Sequence, residues 1–170
     1  MKPGEQMARM GEYAVAKDAD GILTALGLGS CIGLALVDRR TGVAGLAHVV
    51  LPGGKPAADD PPVKYAPSAV PFLVEQVVAL GGRRTRLEAA LVGGASMFAG
   101  SSSGMEVGQR NEAAVREELE RVRIPIIATA TGGNRGRPVR VYLEDGRVTA
   151  KVAGGTEEIL VEGSRVGVAA

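Results

Sequence analysis

The 170-residue sequence contains one cysteine, one histidine and no tryptophan, and aromatic residues make up only 3% of it. A single cysteine excludes a disulfide within the chain and any zinc site built from cysteines alone. Because large aromatic side chains are so scarce, the core has to be built from Val, Leu, Ile and Ala. With 45% hydrophobic residues, the composition is still typical of a globular protein with a sizeable core.

Long apolar runs and runs of like charge are also absent. No stretch approaches the roughly 18 apolar residues that a membrane-spanning helix needs, and residues 1–5 lack the apolar segment of a secretion signal. The formal net charge is +1, and no run of five basic residues occurs. We therefore expect no binding to nucleic acid and no insertion into a membrane. These absences favour a cytoplasmic protein.

Short apolar runs separated by glycine-rich turns follow a polar N-terminal arm. Residues 22–26, 31–37 and 43–51 each predict a strand, and the short turns between them favour antiparallel neighbours. Apolar residues at helical spacing predict helices over 68–80 and 111–122. Further strands are predicted at 87–91, 124–129, 139–143, 148–152 and 159–161.

This order of elements favours an α+β fold, in which a largely antiparallel sheet is covered by two helices. The sequence contains no internal repeat and no segment typical of a domain linker. Residues 1–170 are therefore predicted to form a single domain, with flexible ends at 1–10 and 163–170.

The cysteine and the histidine fall on neighbouring predicted strands. Cys31 follows a glycine-rich turn, and His48 lies seventeen residues later, inside the next strand. A tight turn of this kind, which includes Gly29 and Ser30, would expose the sulfur and leave the Ser30 and Cys31 amides free to face a developing oxyanion. His48 within reach would take the thiol proton and so produce the nucleophilic thiolate. A purely structural interpretation stays open, because buried cysteines and core histidines are common.

Two further features of this region bear on the interpretation. A Cys–His pair usually needs a third group to orient the imidazole, and Thr24 is the hydroxyl candidate, although threonine is also an ordinary strand residue. If Thr24 faces away, a backbone carbonyl or another hydroxyl has to orient the ring. The glycines at 27, 29 and 33 also permit a nucleotide-binding interpretation, but their spacing is one residue too long for the dinucleotide fingerprint and a strand follows them.

Several segments, taken together, are more specific than any one of them. They are Gly27–Cys31, His48–Pro52, Leu91–Met97, Gly108–Asn111, Gly132–Arg137 and Asp145–Val148. Through these segments, the sequence resembles the chemoreceptor glutamine deamidase family (CheD). The segments occur in the same order as in the family, and the resemblance covers about residues 10 to 153. The resemblance implies a cysteine hydrolase fold, a β-sandwich flanked by helices that is similar to the catalytic domains of the cytotoxic necrotising factor toxins.

The resemblance also implies an activity and the residues that carry it. The implied reaction is the hydrolysis of selected glutamine side chains on bacterial chemoreceptors to glutamate, and in some members of receptor methyl esters, with Cys31 as nucleophile and His48 as base. This chemistry needs neither a metal nor an organic cofactor. The family's orienting threonine stands six residues before the cysteine, where this chain has Ala25. A bulge near Gly27 would be needed to turn Thr24 to the correct face.

The implied partners are two proteins. The substrate is the cytoplasmic helical bundle of a chemoreceptor, and the second partner is a CheC-type phosphatase. Receptor bundles are acidic, so Arg110, Arg135 and Arg137 are predicted to help dock the substrate, although exposed arginines are also ordinary surface residues. The competing hypothesis is a regulatory module that binds the phosphatase or the receptor with little or no catalysis. Ala25 is the feature that favours it.

Overall fold

The computed structural model describes residues 4–96, 106–151 and 155–164. Within these ranges the chain forms ten strands and two α-helices. The strands are β1 (Glu5–Met7), β2 (Tyr13–Ala16), β3 (Ile22–Leu28), β4 (Ile32–Asp38), β5 (Val43–Val49), β6 (Glu88–Gly93), β7 (Ile126–Thr131), β8 (Arg137–Tyr142), β9 (Arg147–Lys151) and β10 (Glu157–Val161). The helices are α1 (Ala66–Ala79) and α2 (Val107–Arg121).

The strands are divided between two five-stranded sheets. One sheet has the order β1-β3-β8-β9-β10 and the other the order β2-β5-β4-β6-β7. Most neighbouring strands are antiparallel, while the β1–β3 and β6–β7 pairs are parallel. The predicted α+β fold, with sheets flanked by helices, is confirmed, and no helix in the part of the chain described here is long and apolar enough to cross a membrane.

Strand β4 lies at the centre of its sheet, and this position explains why its sequence is continuously apolar. All seven of its residues are buried, because one face packs under the helices and the other against the second sheet. Ile32 and Leu34 belong to the core beneath α1 and α2, whereas Ala35 points into the core between the sheets. Cys31, just before the strand, also belongs to the core between the sheets. The alternation of β4 therefore directs the cysteine into the sandwich rather than towards the helices.

Both helices begin earlier than their apolar spacing predicts. Helix α1 starts at Ala66, and the Ser68 hydroxyl donates to the Tyr65 carbonyl inside its first turn instead of capping it from outside. Helix α2 starts at Val107, because Glu106 and Gln109 form a reciprocal capping box there. The extra turn of α2 precedes Asn111, which the sequence predicts to be the first residue of the helix.

The N-terminal segment differs from the flexible arm expected for residues 1–10. Glu5–Met7 forms β1, which pairs with β3, and Ala8 is fully buried. Residues 1–3 and 165–170 of the predicted flexible ends lie outside the described residues, as do Met97 of the Leu91–Met97 segment and Val152 of the predicted 148–152 strand.

Candidate active site

The pairing of β4 with β5 brings Cys31 and His48 to one face of the same sheet. Gly33 stands directly opposite His48 in this antiparallel pair, so Cys31 lies diagonally across from the histidine. Ala44 and Leu46 alternate with His48 along β5 and belong to the core between the sheets, as Cys31 does. Diagonal neighbours of this kind are typically about 7–8 Å apart, close enough for long side chains to meet. The fold therefore brings together the predicted nucleophile and base.

The imidazole of His48 is oriented by a backbone carbonyl. Its Nδ1 lies 3.1 Å from the Ala8 carbonyl oxygen. Because a carbonyl only accepts, Nδ1 carries the ring proton in this contact and Nε2 carries the lone pair. The side chain is 3% exposed, and Nε2 has no hydrogen-bond partner among the described residues. A buried imidazole nitrogen with an unused lone pair is available as a base.

The backbone of His48 is held by the same N-terminal segment. The Gly11 amide donates to the His48 carbonyl, and the His48 amide donates to the Glu12 carbonyl, both at 3.0 Å. Together with the Ala8 contact, residues 8–12 fix the base at its main chain and at its ring. Ala8, which lies in the predicted flexible end at 1–10, therefore contacts the base.

Thr24 does not orient the histidine. Its side chain is fully buried, but its hydroxyl donates to Glu5 at 2.7 Å, away from the core between the sheets where its neighbours Leu23 and Ala25 lie. The bulge expected near Gly27 is present, since the β3–β8 register shifts between Ala25 and Leu28. It comes after Thr24 along the chain and therefore leaves the direction of that side chain unchanged. Thr24 contributes through its backbone instead, because its carbonyl accepts from the Ala8 amide at 2.8 Å.

The carbonyls of Gly29, Ser30 and Cys31, in the turn that carries the cysteine, each accept a hydrogen bond. The Gly29 carbonyl accepts from the Ala95 amide (2.8 Å), the Ser30 carbonyl from the Asn111 side chain (2.8 Å) and the Cys31 carbonyl from the Gly94 amide (2.9 Å). The Gly29 amide is also used, because it donates to the Gly27 carbonyl at 2.9 Å. The Ser30 and Cys31 amides, by contrast, donate to no acceptor in the described ranges. The two amides that remain available for an oxyanion are therefore those of Ser30 and Cys31, and Gly29 shapes the turn.

Burial sets the protonation of the pair. Cys31 is 6% exposed, and removal from water raises the pKa of its thiol above the usual value. Burial likewise lowers the pKa of His48, although the Ala8 carbonyl and the Glu12 carboxylate act in the opposite direction. At neutral pH the pair is consequently a neutral thiol beside a neutral imidazole. No hydrogen bond joins Cys31 Sγ to His48 Nε2 in the described structure.

The three arginines predicted to dock a substrate differ in their burial and contacts. Arg110 is exposed on α2 and Arg135 is exposed in the β7–β8 connection. Arg137 is half-buried at the start of β8, where one guanidinium nitrogen donates to the Ala130 carbonyl at 2.6 Å and to the Gly93 carbonyl at 3.3 Å. Arg137 therefore ties the two sheets together, and its contact with the substrate stays a prediction.

Sequence reasoning missed Asn111 as a residue of the site. Its side chain is fully buried, and its Nδ2 donates to the Ser30 carbonyl at 2.8 Å and to the Val50 carbonyl at 2.9 Å. One signal could have identified it. Asn111 shares the inward face of α2 with Val115 and Leu119, and a polar residue on an apolar helix face needs a partner inside the protein. Among the described residues there is no cluster of His, Cys, Asp or Glu suited to a metal ion.

Comparison with known proteins gives the family. The sequence matches the CheD family of chemotactic sensory transduction proteins over residues 50–156. It is also 43% identical over 155 residues to the chemoreceptor glutamine deamidase CheD of Thermotoga maritima. The matched residues cover 90% of this chain and 95% of that protein. The chain belongs to the CheD family. The resemblance predicted from the sequence segments is therefore confirmed.

Other CheD relatives give the same result. The probable chemoreceptor glutamine deamidase CheD of Methanococcus vannielii is 41% identical over 143 residues, which cover 84% of this chain and 92% of that protein. The corresponding protein of Clostridium botulinum strain Hall is 43% identical over 149 residues, with 85% and 91% covered. Since 90% of the chain is matched in the Thermotoga maritima comparison, the stretch from Cys31 to His48 lies inside the matched part.

Proposed function

We propose that this chain hydrolyses glutamine side chains of bacterial chemoreceptors to glutamate, with Cys31 as nucleophile and His48 as base. Similarity along nearly the whole length to proteins named chemoreceptor glutamine deamidase supports the reaction. One structural observation supports the assignment of these residues. Cys31 lies diagonally across from His48, whose Nε2 has no hydrogen-bond partner among the described residues. The protein is accordingly a cysteine-dependent amidohydrolase.

The first half of the reaction forms a thioester. His48 Nε2 takes the proton from the Cys31 thiol while the sulfur attacks the carboxamide carbon of the substrate glutamine. The amides of Ser30 and Cys31 donate to the oxygen as it becomes negatively charged. When the carbonyl re-forms, the carbon–nitrogen bond breaks and His48 returns its proton to the nitrogen, which leaves as ammonia.

The second half returns the enzyme to its starting state. His48 removes a proton from a water molecule, which attacks the thioester carbon, and the carbon–sulfur bond then breaks. The sulfur recovers its proton from His48, and the product is a glutamate side chain. No metal or organic cofactor takes part in these steps. A receptor methyl ester would react through the same thioester, with methanol as the leaving group in place of ammonia.

The raised pKa of Cys31 and the lowered pKa of His48 determine how the thiolate forms. A pair that is neutral at rest has to transfer the proton at the time of attack, when the substrate carbonyl accepts the developing charge. This arrangement makes the sulfur less reactive towards oxidants than a resting thiolate would be. It also requires His48 to be neutral, so activity is lost as the pH falls through the lowered pKa of the imidazole.

Recognition of the substrate takes place outside the Cys–His pair, since glutamine is common on protein surfaces. Arg110 and Arg135 remain proposed docking residues, because both side chains are exposed and receptor bundles are acidic. A CheC-type phosphatase is the proposed second partner, and the proposed location is the cytoplasm, where the receptor bundle lies.

A second function is favoured by two observations at the same site. Cys31 and His48 are nearly inaccessible, and no hydrogen bond joins them. A regulatory module that binds the phosphatase or the receptor would tolerate both features, and Ala25 in the place of the family's threonine agrees with weak catalysis.

Ammonia release from a purified receptor cytoplasmic fragment distinguishes the two functions. We expect continuous release of ammonia, with a mass increase of about one unit on individual receptor glutamines, and we expect both to vanish in Cys31→Ala. Binding of the receptor without any ammonia release would favour the regulatory module. The Cys31→Ala variant is a suitable control because it removes only the sulfur of this buried side chain.

A further inference from the structure

The Ser30–Cys31 peptide bond is held from one side by helix α2. Asn111 Nδ2 donates to the Ser30 carbonyl at 2.8 Å and to the Val50 carbonyl at 2.9 Å. By continuation of the β4–β5 register, Val50 stands across from Cys31. A single buried amide group therefore connects the turn that carries the nucleophile with the end of the strand that carries the base.

The helix can reach this position because of a glycine in its first turn. A Cβ atom at Gly108 would collide with the carbonyl oxygens of Gly94 and Ala95. The amides of those two residues donate to the Cys31 and Gly29 carbonyls. The close approach at Gly108 thus packs α2 against the loop that binds the nucleophile turn, and it places Asn111 one helical turn further on, beneath Ser30.

The direction of a carbonyl fixes the direction of the following amide. In a trans peptide the carbonyl of one residue and the N–H of the next point in opposite directions, and the described residues contain no cis peptide bond. Since Asn111 binds the Ser30 carbonyl, the Cys31 N–H is directed away from α2. A rotation of this peptide by half a turn would withdraw the Cys31 N–H and bring the Ser30 carbonyl oxygen, which repels an oxyanion, to the same place.

Stability alone does not account for an asparagine here. Its Oδ1 is buried and has no hydrogen-bond partner among the described residues, and a buried acceptor without a donor is unfavourable. Both carbonyls that Nδ2 binds lie at the catalytic end of the sheet. The side chain is therefore suited to holding these two carbonyls in place rather than to packing in the helix.

We propose that Asn111 is a positioning residue that prevents rotation of the Ser30–Cys31 peptide and so keeps the Cys31 amide directed at the developing oxyanion. The inference rests on the proposed thioester mechanism for its effect on rate. Its structural part, the orientation of the peptide, does not depend on that mechanism.

Kinetics of Asn111→Ala test the effect on rate. An oxyanion contact is made in the transition state, so we expect kcat for deamidation to fall about 10- to 100-fold, with KM changed less than about twofold. Alkylation of Cys31 by iodoacetamide forms no oxyanion, so its rate should stay within about twofold of wild type. The matched control is Val115→Ala, which loosens the same buried face of α2 without touching the turn. It should lower thermal stability and leave kcat unchanged.

Two kinetic results would overturn the proposal. An unchanged kcat in Asn111→Ala would mean that the amide has no positioning role. A parallel loss of alkylation and deamidation, shared by Val115→Ala, would mean that Asn111 only maintains the fold.

Crystal structures of wild type and Asn111→Ala test the orientation without any assay of activity. We expect the Ser30 carbonyl to point towards α2 in the wild type and to be rotated, or divided between two orientations, in the variant. A Ser30 peptide in the wild-type orientation at full occupancy in the variant would contradict the proposal. If wild type released no ammonia but the peptide rotated in the variant, the proposed function would fail while the positioning role of Asn111 stood.

Discussion

Among the described residues, the buried polar group at one end of strand β4 is fully hydrogen-bonded, whereas buried polar groups at the other end lack partners. At the Asp38 end, a fully buried carboxylate accepts two hydrogen bonds from Arg86, both at 3.1 Å, and further bonds from the amides of Arg83, Arg40 and Thr41. At the Cys31 end, buried groups lack partners within the described residues. They are His48 Nε2, Asn111 Oδ1 and Arg137 Nε, and the amides of Ser30 and Cys31 likewise donate to no acceptor there.

The difference separates a structural site from a reactive one. Burial alone would raise the pKa of Asp38, but the hydrogen bonds from Arg86 and the backbone hold it at about 2, so the carboxylate is fixed in its charged form. At the other end, burial moves Cys31 and His48 towards their neutral forms, and for His48 the Ala8 carbonyl and the Glu12 carboxylate offset the lowered pKa only in part. The base His48 is left with unused hydrogen-bonding capacity at Nε2, whereas the Asp38 carboxylate, which stabilises the fold, is fully hydrogen-bonded.

The largest expected effect comes from removing the base at the reactive end. His48→Ala should lower kcat for deamidation by at least about 10³-fold, because no other histidine is present in the chain to replace it. The folded structure should persist, since the side chain makes one polar contact, to the Ala8 carbonyl. Circular dichroism together with ammonia release would measure both. Activity within tenfold of wild type would show that the lone pair of Nε2 is not used.

Removing the charge at the structural end should affect stability and not rate. Asp38→Asn leaves Arg86 without its buried partner, and we expect the free energy of unfolding to fall by about 3 kcal/mol or more, with kcat unchanged in the folded fraction. Chemical denaturation at pH 7 would measure the loss. A fall in kcat in fully folded Asp38→Asn would contradict the separation of the two ends.

The same variant sharpens the comparison through its pH dependence. The pKa of Asp38 in the folded state is lowered from 3.8 to about 2, so the carboxylate contributes stability above pH 3.8 and loses it as the pH falls through about 2. Wild type should therefore lose roughly 2 kcal/mol more than Asp38→Asn over this interval. Equal losses in the two proteins would mean that other carboxylates determine the acid sensitivity.

The two arginines after β7 provide a smaller and more selective effect. Arg137→Ala removes the bonds to Gly93 and Ala130, so we expect a loss of about 1–3 kcal/mol in stability and parallel losses of activity on receptor and on a small glutamine analogue. Arg135→Ala should raise only the KM for receptor, by a few-fold and mainly at low salt. An effect of Arg135→Ala on the small analogue would exclude a docking role.

The smallest effect is expected at Thr24. Since its hydroxyl donates to Glu5 and not to His48, Thr24→Val should change kcat by less than about twofold and cost about 1 kcal/mol in stability. A fall of tenfold or more in kcat would show that the hydroxyl reaches the imidazole during catalysis.

These regions also show what the sequence can predict. The apolar runs and their turns were sufficient to place Cys31 and His48 on neighbouring antiparallel strands, because alternation and short connections leave few other arrangements. The family resemblance then assigned their roles. Both predictions depend on side-chain patterns that are local in the sequence.

The parts that were missed depend on contacts without such a pattern. A backbone carbonyl is among the alternatives that the sequence leaves open for orienting His48, but nothing in residue type shows that it belongs to Ala8. Asn111 reaches Ser30 only because Gly108 allows α2 to approach a loop far away in the sequence. A bulge near Gly27 would be needed to turn Thr24 inward, and the bulge is present, but Thr24 still lies on the face where its hydroxyl donates to Glu5.

Interception of the thioester tests the central claim most directly, namely that Cys31 carries the substrate acyl group during glutamine deamidation. Hydroxylamine added to a reaction of wild type and receptor fragment attacks a thioester and leaves a hydroxamate on the glutamine position, which peptide mass spectrometry detects. We predict hydroxamate at the same receptor positions that become glutamate, and none with Cys31→Ala. Conversion to glutamate without any hydroxamate, or equal conversion by Cys31→Ala, would contradict the account.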